Sequence, residues 1–241
     1  MTHKATHTTT GTLYGVGVGP GDPSLLTLKA VSCIERAHVL AWIESPQHTR
    51  SFDVVKHLRQ QHHMTYGTPI DMGNTEQQRV RHYDHLASRL KRHLCQGHDV
   101  AYLTLGDPLL YGSFTYLMER LRHTCAIDII PGIPSFCAVT AHLQQCLAQK
   151  QETLTILTAQ QALTRLAHPL NSHEAIVILK GGKHIQTLRR MLEQHGDKTI
   201  ERAFYAEHVG TPQQTSMPLC AYDKPSAPYF SLIVITPHRS A

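Results

Sequence analysis

The sequence predicts an α/β protein of two domains, with a parallel sheet in the first and a mixed sheet in the second. Short β-type runs alternate with helix-length segments along the whole chain, the pattern of strand–helix–strand units. The first strand segments are spaced widely enough for crossover helices, which parallel pairing needs. The last three lie close together, so antiparallel pairing is expected there. A chain of 241 residues holds two such units, each with its own core.

Residues 12–18 are expected as a buried strand. Asp22 and Pro23 then supply an N-cap and a first-turn proline, and Leu25, Leu28, Val31 and Ile34 form the stripe of a helix. A second strand is expected over 38–42, a helix over 51–61 with Val54, Val55 and Leu58 inward, and a third strand over 66–71. The longest helix spans 75–96. Its Val80, Tyr83, Leu86, Leu90 and Leu94 keep the 3.6 period, and Gly97 stands where a helix-ending glycine belongs. Strands four and five are 100–105 and 126–130. In the second half, strands are expected over 154–158, 176–179, 203–206, 216–220 and 230–235. The domains are drawn at 11–148 and 149–241, with no low-complexity linker between them.

Bulk properties exclude several classes. No apolar run approaches the roughly 18 residues of a membrane span. The opening MTHKATHTTT lacks the apolar segment of a secretory signal and is read as a short disordered lead-in. A cytoplasmic protein without membrane association is therefore expected. The six cysteines show no C-x-x-C spacing, which argues for reduced, mostly buried thiols rather than a disulfide framework. The 19 histidines form no H-E-x-x-H and no finger pair, so no protein-bound metal is expected, and most are assigned to the solvated surface. A net charge of +5 without dense Lys/Arg runs does not point to nucleic acid, but it suits a polyanionic small molecule.

Three loops place glycine and proline directly after a strand. The first is Gly15-Val16-Gly17-Val18-Gly19-Pro20-Gly21-Asp22-Pro23. It fails the dinucleotide pattern G-x-G-x-x-G, because the third glycine would fall on Pro20 or Asp22, and no phosphate loop G-x-x-x-x-G-K-[ST] occurs. The second, Leu105-Gly106-Asp107-Pro108, ends the fourth strand, with Asp107 placed to cap the next helix. The third, Pro131-Gly132-Ile133-Pro134-Ser135-Phe136, ends the fifth, with Ser135 placed likewise. One such turn needs no ligand. Several at the carboxyl ends of parallel strands mark the edge where open α/β sheets bind ligands, and glycine lets backbone groups approach closely.

GVGVGPGD, LTLGDPLLYGSFTYL and IIPGIPSFCAVTAHL, in that order, resemble the tetrapyrrole methylase family, the class III methyltransferases. More narrowly, GDPLLYGSFTYL, AIVILKGGKH and the terminal PYFSLIVI are similar to precorrin-2 and cobalt-factor-II C(20)-methyltransferases. Gly112 stands where the family often has a hydroxyl residue. The resemblance implies two α/β domains with S-adenosylmethionine in a cleft between them. It implies cofactor contacts at Pro20, Leu105, Gly106, Asp107, Leu110, Ser135 and Phe136, and at Leu179, Lys180 and Val209 from the second domain. It further implies a homodimer that methylates a tetrapyrrole polycarboxylate at meso carbon C(20) on the route to vitamin B12. Methylases of another ring carbon, the uroporphyrinogen methylase and diphthine synthase share the fold. A non-catalytic nucleotide-binding module is the alternative of a different class.

Methyl transfer from a sulfonium asks the protein mainly to align donor and acceptor and to exclude water. The acceptor carbon must later lose its proton, and Tyr111, Glu207 and His208 are the candidate helpers. Their plain alternatives are packing for Tyr111 and solvation for the Glu-His pair. Lys180, Lys183, Arg50 and Lys56 are candidate partners for the substrate carboxylates.

Overall fold

The computed structural model describes residues 10–44, 51–70, 75–172 and 174–237. Residues 1–9 of the expected disordered lead-in, and Arg50, lie outside the described residues. The chain divides between Pro134 and Ser135 into two compact units.

The first unit runs β1 (Leu13–Gly17), α1 (Leu28–Arg36), β2 (Val39–Glu44), α2 (Ser51–Val55), β3 (Met64–Pro69), α3 (Glu76–Cys95), β4 (Val100–Thr104), α4 (Phe114–Leu121) and β5 (Ile127–Ile130). Its strands form one wholly parallel sheet, in the order β3-β2-β4-β1-β5. β4 is buried along its whole length, as a sheet covered on both faces requires. α1 and α2 pack on one face through Ala30, Cys33, Ile34, Val54 and Val55. α3 and α4 cover the other through Tyr83, Leu86, Leu90, Leu94, Phe114 and Leu117. Handedness explains the split. The chain steps one way across the sheet from β1 to β3 and back from β3 to β5, so right-handed crossovers put the two helix pairs on opposite faces.

α3 follows its sequence signals closely. Thr75 and Gln78 form a reciprocal capping box at its start. At its end Gly97 takes a φ of +82° and donates to the Leu94 carbonyl at 3.0 Å. The first helix does not follow its signals. Asp22 accepts from the Ser24 N–H at 2.8 Å but caps only a single 3-10 turn, Pro23–Leu25. α1 starts afresh at Leu28, capped by Thr27, whose hydroxyl oxygen accepts from the Ala30 N–H at 3.1 Å. The restart shifts the helical phase, so Ala30, Cys33 and Ile34 face inward while Leu28 is 89% exposed. The helix expected over 51–61 is likewise broken into α2 and a 3-10 turn at Lys56–Leu58.

The second unit runs α5 (Ser135–His142), β6 (Leu154–Thr158), α6 (Ala159–Arg165), α7 (Ala167–Asn171), β7 (Ala175–Leu179), α8 (Ile185–His195), α9 (Asp197–Ile200), β8 (Ala203–Glu207), β9 (Thr215–Pro218) and β10 (Ser231–Ile235). α5 packs along β10, so it groups with this unit although the sequence draws the division at 148/149. The sheet order is β6-β7-β10-β8-β9. β6 and β7 are parallel, β10 runs antiparallel to both β7 and β8, and β9 is antiparallel to β8. The core gathers Ile176, Ile178, Leu188, Leu192, Tyr205, Tyr222 and Ile233.

The cysteines are free, but the expectation that most are buried fails. Cys33 is buried and Cys125 half-buried, whereas Cys95 and Cys137 fall on outer helix positions and Cys146 and Cys220 in connections, all four exposed. Burial pushes the Cys33 thiol up to about 12, which keeps it protonated and inert.

Candidate functional site

The topology of the first unit singles out one edge. β1 and β4 are neighbours, yet β1 leads to α1 on one face and β4 to α4 on the other. Their loops diverge at the carboxyl edge, the arrangement that opens a ligand crevice in α/β sheets. All three glycine-proline loops lie here, and the structure brings them into direct contact. The Gly106 N–H donates to the Gly19 carbonyl at 2.7 Å, joining the first two loops in an isolated antiparallel bridge. A Cβ on Gly17 would stand 2.5 Å from the Gly132 nitrogen and 2.6 Å from the Gly106 oxygen. Only glycine at 17 and 132 lets the three backbones meet this closely.

Asp107 does not cap the next helix. Its Oδ1 accepts from the Leu109 N–H at 2.9 Å and its Oδ2 from the Gly132 N–H at 3.1 Å. α4 starts only at Phe114, behind Ser113, which makes no side-chain cap bond. Ser135 likewise stands inside α5 as its first residue. Gly112 has a local reason: a Cβ there would run into the Pro108 carbonyl oxygen, so a residue with a side chain does not fit this turn. Gly106, at φ +69°, differs from its neighbours. A Cβ built on it meets only the Pro134 Cα, at 4.0 Å, so the space beside it is open. Pro20 is buried, and Leu105, Gly106, Asp107 and Leu110 are half-buried along the same edge. Thr104, 8% exposed at the end of β4, has a hydroxyl with no protein partner. A threonine closing a buried strand has no spacing in the sequence that would mark it.

In the second unit β6, β7 and β8 run in one direction, so their carboxyl ends share an edge of that sheet. Leu179 and Lys180 lie at the end of β7, and Glu207, His208 and Val209 at the end of β8. The β7 end is tied to β10: the Gly181 N–H donates to the Ser231 carbonyl at 3.1 Å and the Gly182 N–H to the Ser231 hydroxyl at 3.2 Å. The Lys180 ammonium sits 5.5 Å from the centre of the Tyr229 ring. Lys183 is exposed, as is Lys56 in the first unit.

Glu207 is not solvated. It is 7% exposed, and its Oε2 accepts from the Tyr205 hydroxyl at 2.5 Å. Tyr205 is itself fully buried against Tyr222, with burial and the Glu207 carboxyl driving its phenol far above the ordinary range. Positions two apart on a strand share a face, so this pairing was legible in the spacing of Tyr205 and Glu207. Tyr111, Lys180 and His208 all adopt left-handed backbone, with φ of +53°, +61° and +51°. Such conformations are costly for non-glycine residues and concentrate at functional sites.

Histidines cluster at the opposite, amino edge of the first sheet. His38 and His98 stack with centroids 5.1 Å apart, His93 lies 5.9 Å from His98, and the Tyr66 hydroxyl is 2.9 Å from the His93 Nε2. Among the described residues no group of three or more His, Cys, Asp or Glu is arranged to hold a metal ion, and no helix is long and apolar enough to cross a membrane.

Residues 12–220 match the family model described as Tetrapyrrole (Corrin/Porphyrin) Methylases. A precorrin-2 C(20)-methyltransferase of Sinorhizobium sp is 34% identical, the match covering 93% of this chain and 95% of the relative. The cobalamin biosynthesis protein CobIJ of Mycobacterium bovis is 32% identical over 93% of this chain, and this chain spans about half of it, 46%. Among solved structures, the uroporphyrin-III C-methyl transferase of Thermus thermophilus complexed with S-adenyl homocysteine superposes with a TM-score of 0.64 at 22% identity. That match covers 93% of this chain and 97% of the other, a likeness of fold.

Proposed function

Because the chain belongs to the tetrapyrrole (corrin/porphyrin) methylase family, we propose that it transfers a methyl group from S-adenosylmethionine to meso carbon C(20) of precorrin-2 or its cobalt complex in corrin synthesis. The observation that carries the ring position is the Sinorhizobium relative, named for that reaction and matched over nearly the whole of both chains.

The carboxyl edge of the first unit fits the methyl donor. Such a molecule has an adenine, a ribose and a zwitterionic tail but no phosphate, so it calls for backbone polar groups and apolar walls rather than a basic loop. The open space beside Gly106 leaves room for it, the unpartnered Thr104 hydroxyl offers an uncharged polar group, and the side chains of Pro20, Leu105 and Leu110 offer apolar walls. When bound, S-adenosylmethionine brings a methyl on a positively charged sulfur, which is already a good leaving group. The work left to the protein is alignment and water exclusion.

Ser135, Phe136, Leu179, Lys180 and Val209 are the proposed contacts from the second unit. Lys180 and Lys183 are proposed to receive substrate carboxylates. Of the three candidates for taking the proton of the methylated carbon, Glu207 is buried and already accepts from Tyr205, whereas Tyr111 and His208 remain in part exposed. A cytoplasmic homodimer completes the reading, and sedimentation at micromolar concentration should give twice the chain mass; a monomer would remove the dimer from it.

Turnover with carbon-13 methyl-labelled donor on precorrin-2 and on cobalt-factor II tests the reaction. The NMR signal of the product is expected on the meso carbon. A label on a pyrrole carbon would overturn the ring position and leave methyl transfer standing.

A further inference from the structure

We infer that Asp107 is a positioning residue that clasps the third loop to the second, rather than a contact to the methyl donor; this rests on reading the carboxyl edge of the first sheet as the donor site. Both of its carboxylate oxygens are already engaged by backbone N–H groups, Oδ1 by Leu109 within its own turn and Oδ2 by Gly132, 25 residues further on. The first bond shapes the loop after β4. The second reaches across to the loop after β5.

The third loop has few ways to be held. Between the end of β5 and the start of α5, Pro131 and Pro134 carry no N–H, so Gly132 and Ile133 are the backbone donors of that stretch. The Gly132 backbone also lies against Gly17 and Gly106, so closely that a Cβ on Gly132 would sit 2.8 Å from the Gly17 Cα. Contact alone keeps the loop out of certain positions. The Asp107 carboxylate supplies the directional bond that chooses one. Since the Gly106 N–H is bonded to Gly19, one short segment, Gly106-Asp107, ties all three loops together.

The chemistry requires an aspartate. An asparagine could keep its Oδ1 on Leu109, but its amide NH2 would then face the Gly132 N–H, donor against donor. A glutamate keeps the charge but adds a methylene, which moves the two oxygens off the two amides.

Amide hydrogen exchange of the free protein and calorimetry with S-adenosylhomocysteine test this. In Asp107→Asn the Gly132 amide should exchange at least about tenfold faster while the Leu109 amide keeps its protection. S-adenosylhomocysteine should bind about tenfold more weakly, with the loss in the KM for the donor and kcat at saturating donor within about twofold. Asp107→Glu should be as impaired as Asp107→Asn, because geometry and not charge is what counts. Two results would overturn the inference: weakened binding with Gly132 still protected, or full binding restored by Asp107→Glu. Each would make Asp107 a charge contact to the ligand. If the wild-type protein fails to bind S-adenosylhomocysteine, the donor-site reading fails, while the exchange of Gly132 still reports on the clasp.

Discussion

Two glycines a short distance apart at the carboxyl edge ask for opposite treatment. At Gly17 an added Cβ would press on backbone atoms of Gly132 and Gly106, which cannot rotate away as a side chain can. Gly17→Ala is expected to cost about 1–3 kcal/mol of stability, as overpacking does, and to loosen donor binding with it. At Gly106 the obstacle is conformational: φ is +69° and the surrounding space is open. Gly106→Ala should cost about 1–2 kcal/mol for the left-handed backbone yet still fold, and its methyl would point into the proposed donor space. Denaturant midpoints and S-adenosylhomocysteine titrations on both variants separate the cases. Equal stability loss with wild-type binding in Gly106→Ala would show that the open space is not where the donor lies. The left-handed Tyr111, Lys180 and His208 belong to the same scale, since each stores local strain that neighbouring bonds must hold.

Among the elements, the amino edge of the first sheet behaves differently from its carboxyl edge. His93 at the end of α3 is brought beside His98, which precedes β4, and His98 stacks on His38, which precedes β2. Burial, and then the proximity of His98, Arg92 and Arg89, depress the pKa of His93 below its ordinary 6.5. The folded chain therefore binds fewer protons here than the unfolded chain. Stability from this group is complete above about pH 6.5 and falls as the pH is lowered through that range. Denaturation midpoints at pH 7.5 and 5.5 should differ in that direction, and His93→Gln should narrow the difference. An unchanged gap in His93→Gln would assign the acid sensitivity elsewhere. The strand–helix order itself was legible element by element, because the capping box of α3 and the inward row Tyr83, Leu86, Leu90 and Leu94 are set by neighbours three and four residues apart. The phase of α1 was not legible, because Thr27 and Asp22 both offer caps and packing chose the later one.

For the whole molecule, the formal charge of +5 bears on encounter rather than on fold. A tetrapyrrole polycarboxylate should be drawn in at low ionic strength, and its apparent KM should rise several-fold between 50 and 300 mM salt, as screening over about 10 Å at 0.1 M shortens the attraction. The KM for the methyl donor, which carries no phosphate, should move much less. A tetrapyrrole KM insensitive to salt would mean that local contacts alone hold its carboxylates.

By itself the sequence determined the alternation of strands and helices, the parallel and mixed character of the two sheets, and the motifs that lead to the family. Those features depend on spacing within a few residues or on the order of motifs along the chain. Only the tertiary structure decided that Gly17 and Gly132 touch, that Asp107 spends its second oxygen on Gly132, that the face of β8 carrying Glu207 is buried, and that most cysteines face outward. Each of these is a choice of partner or of face made by whole elements packing together. A residue's own neighbours along the chain carry no record of which distant backbone will close against it.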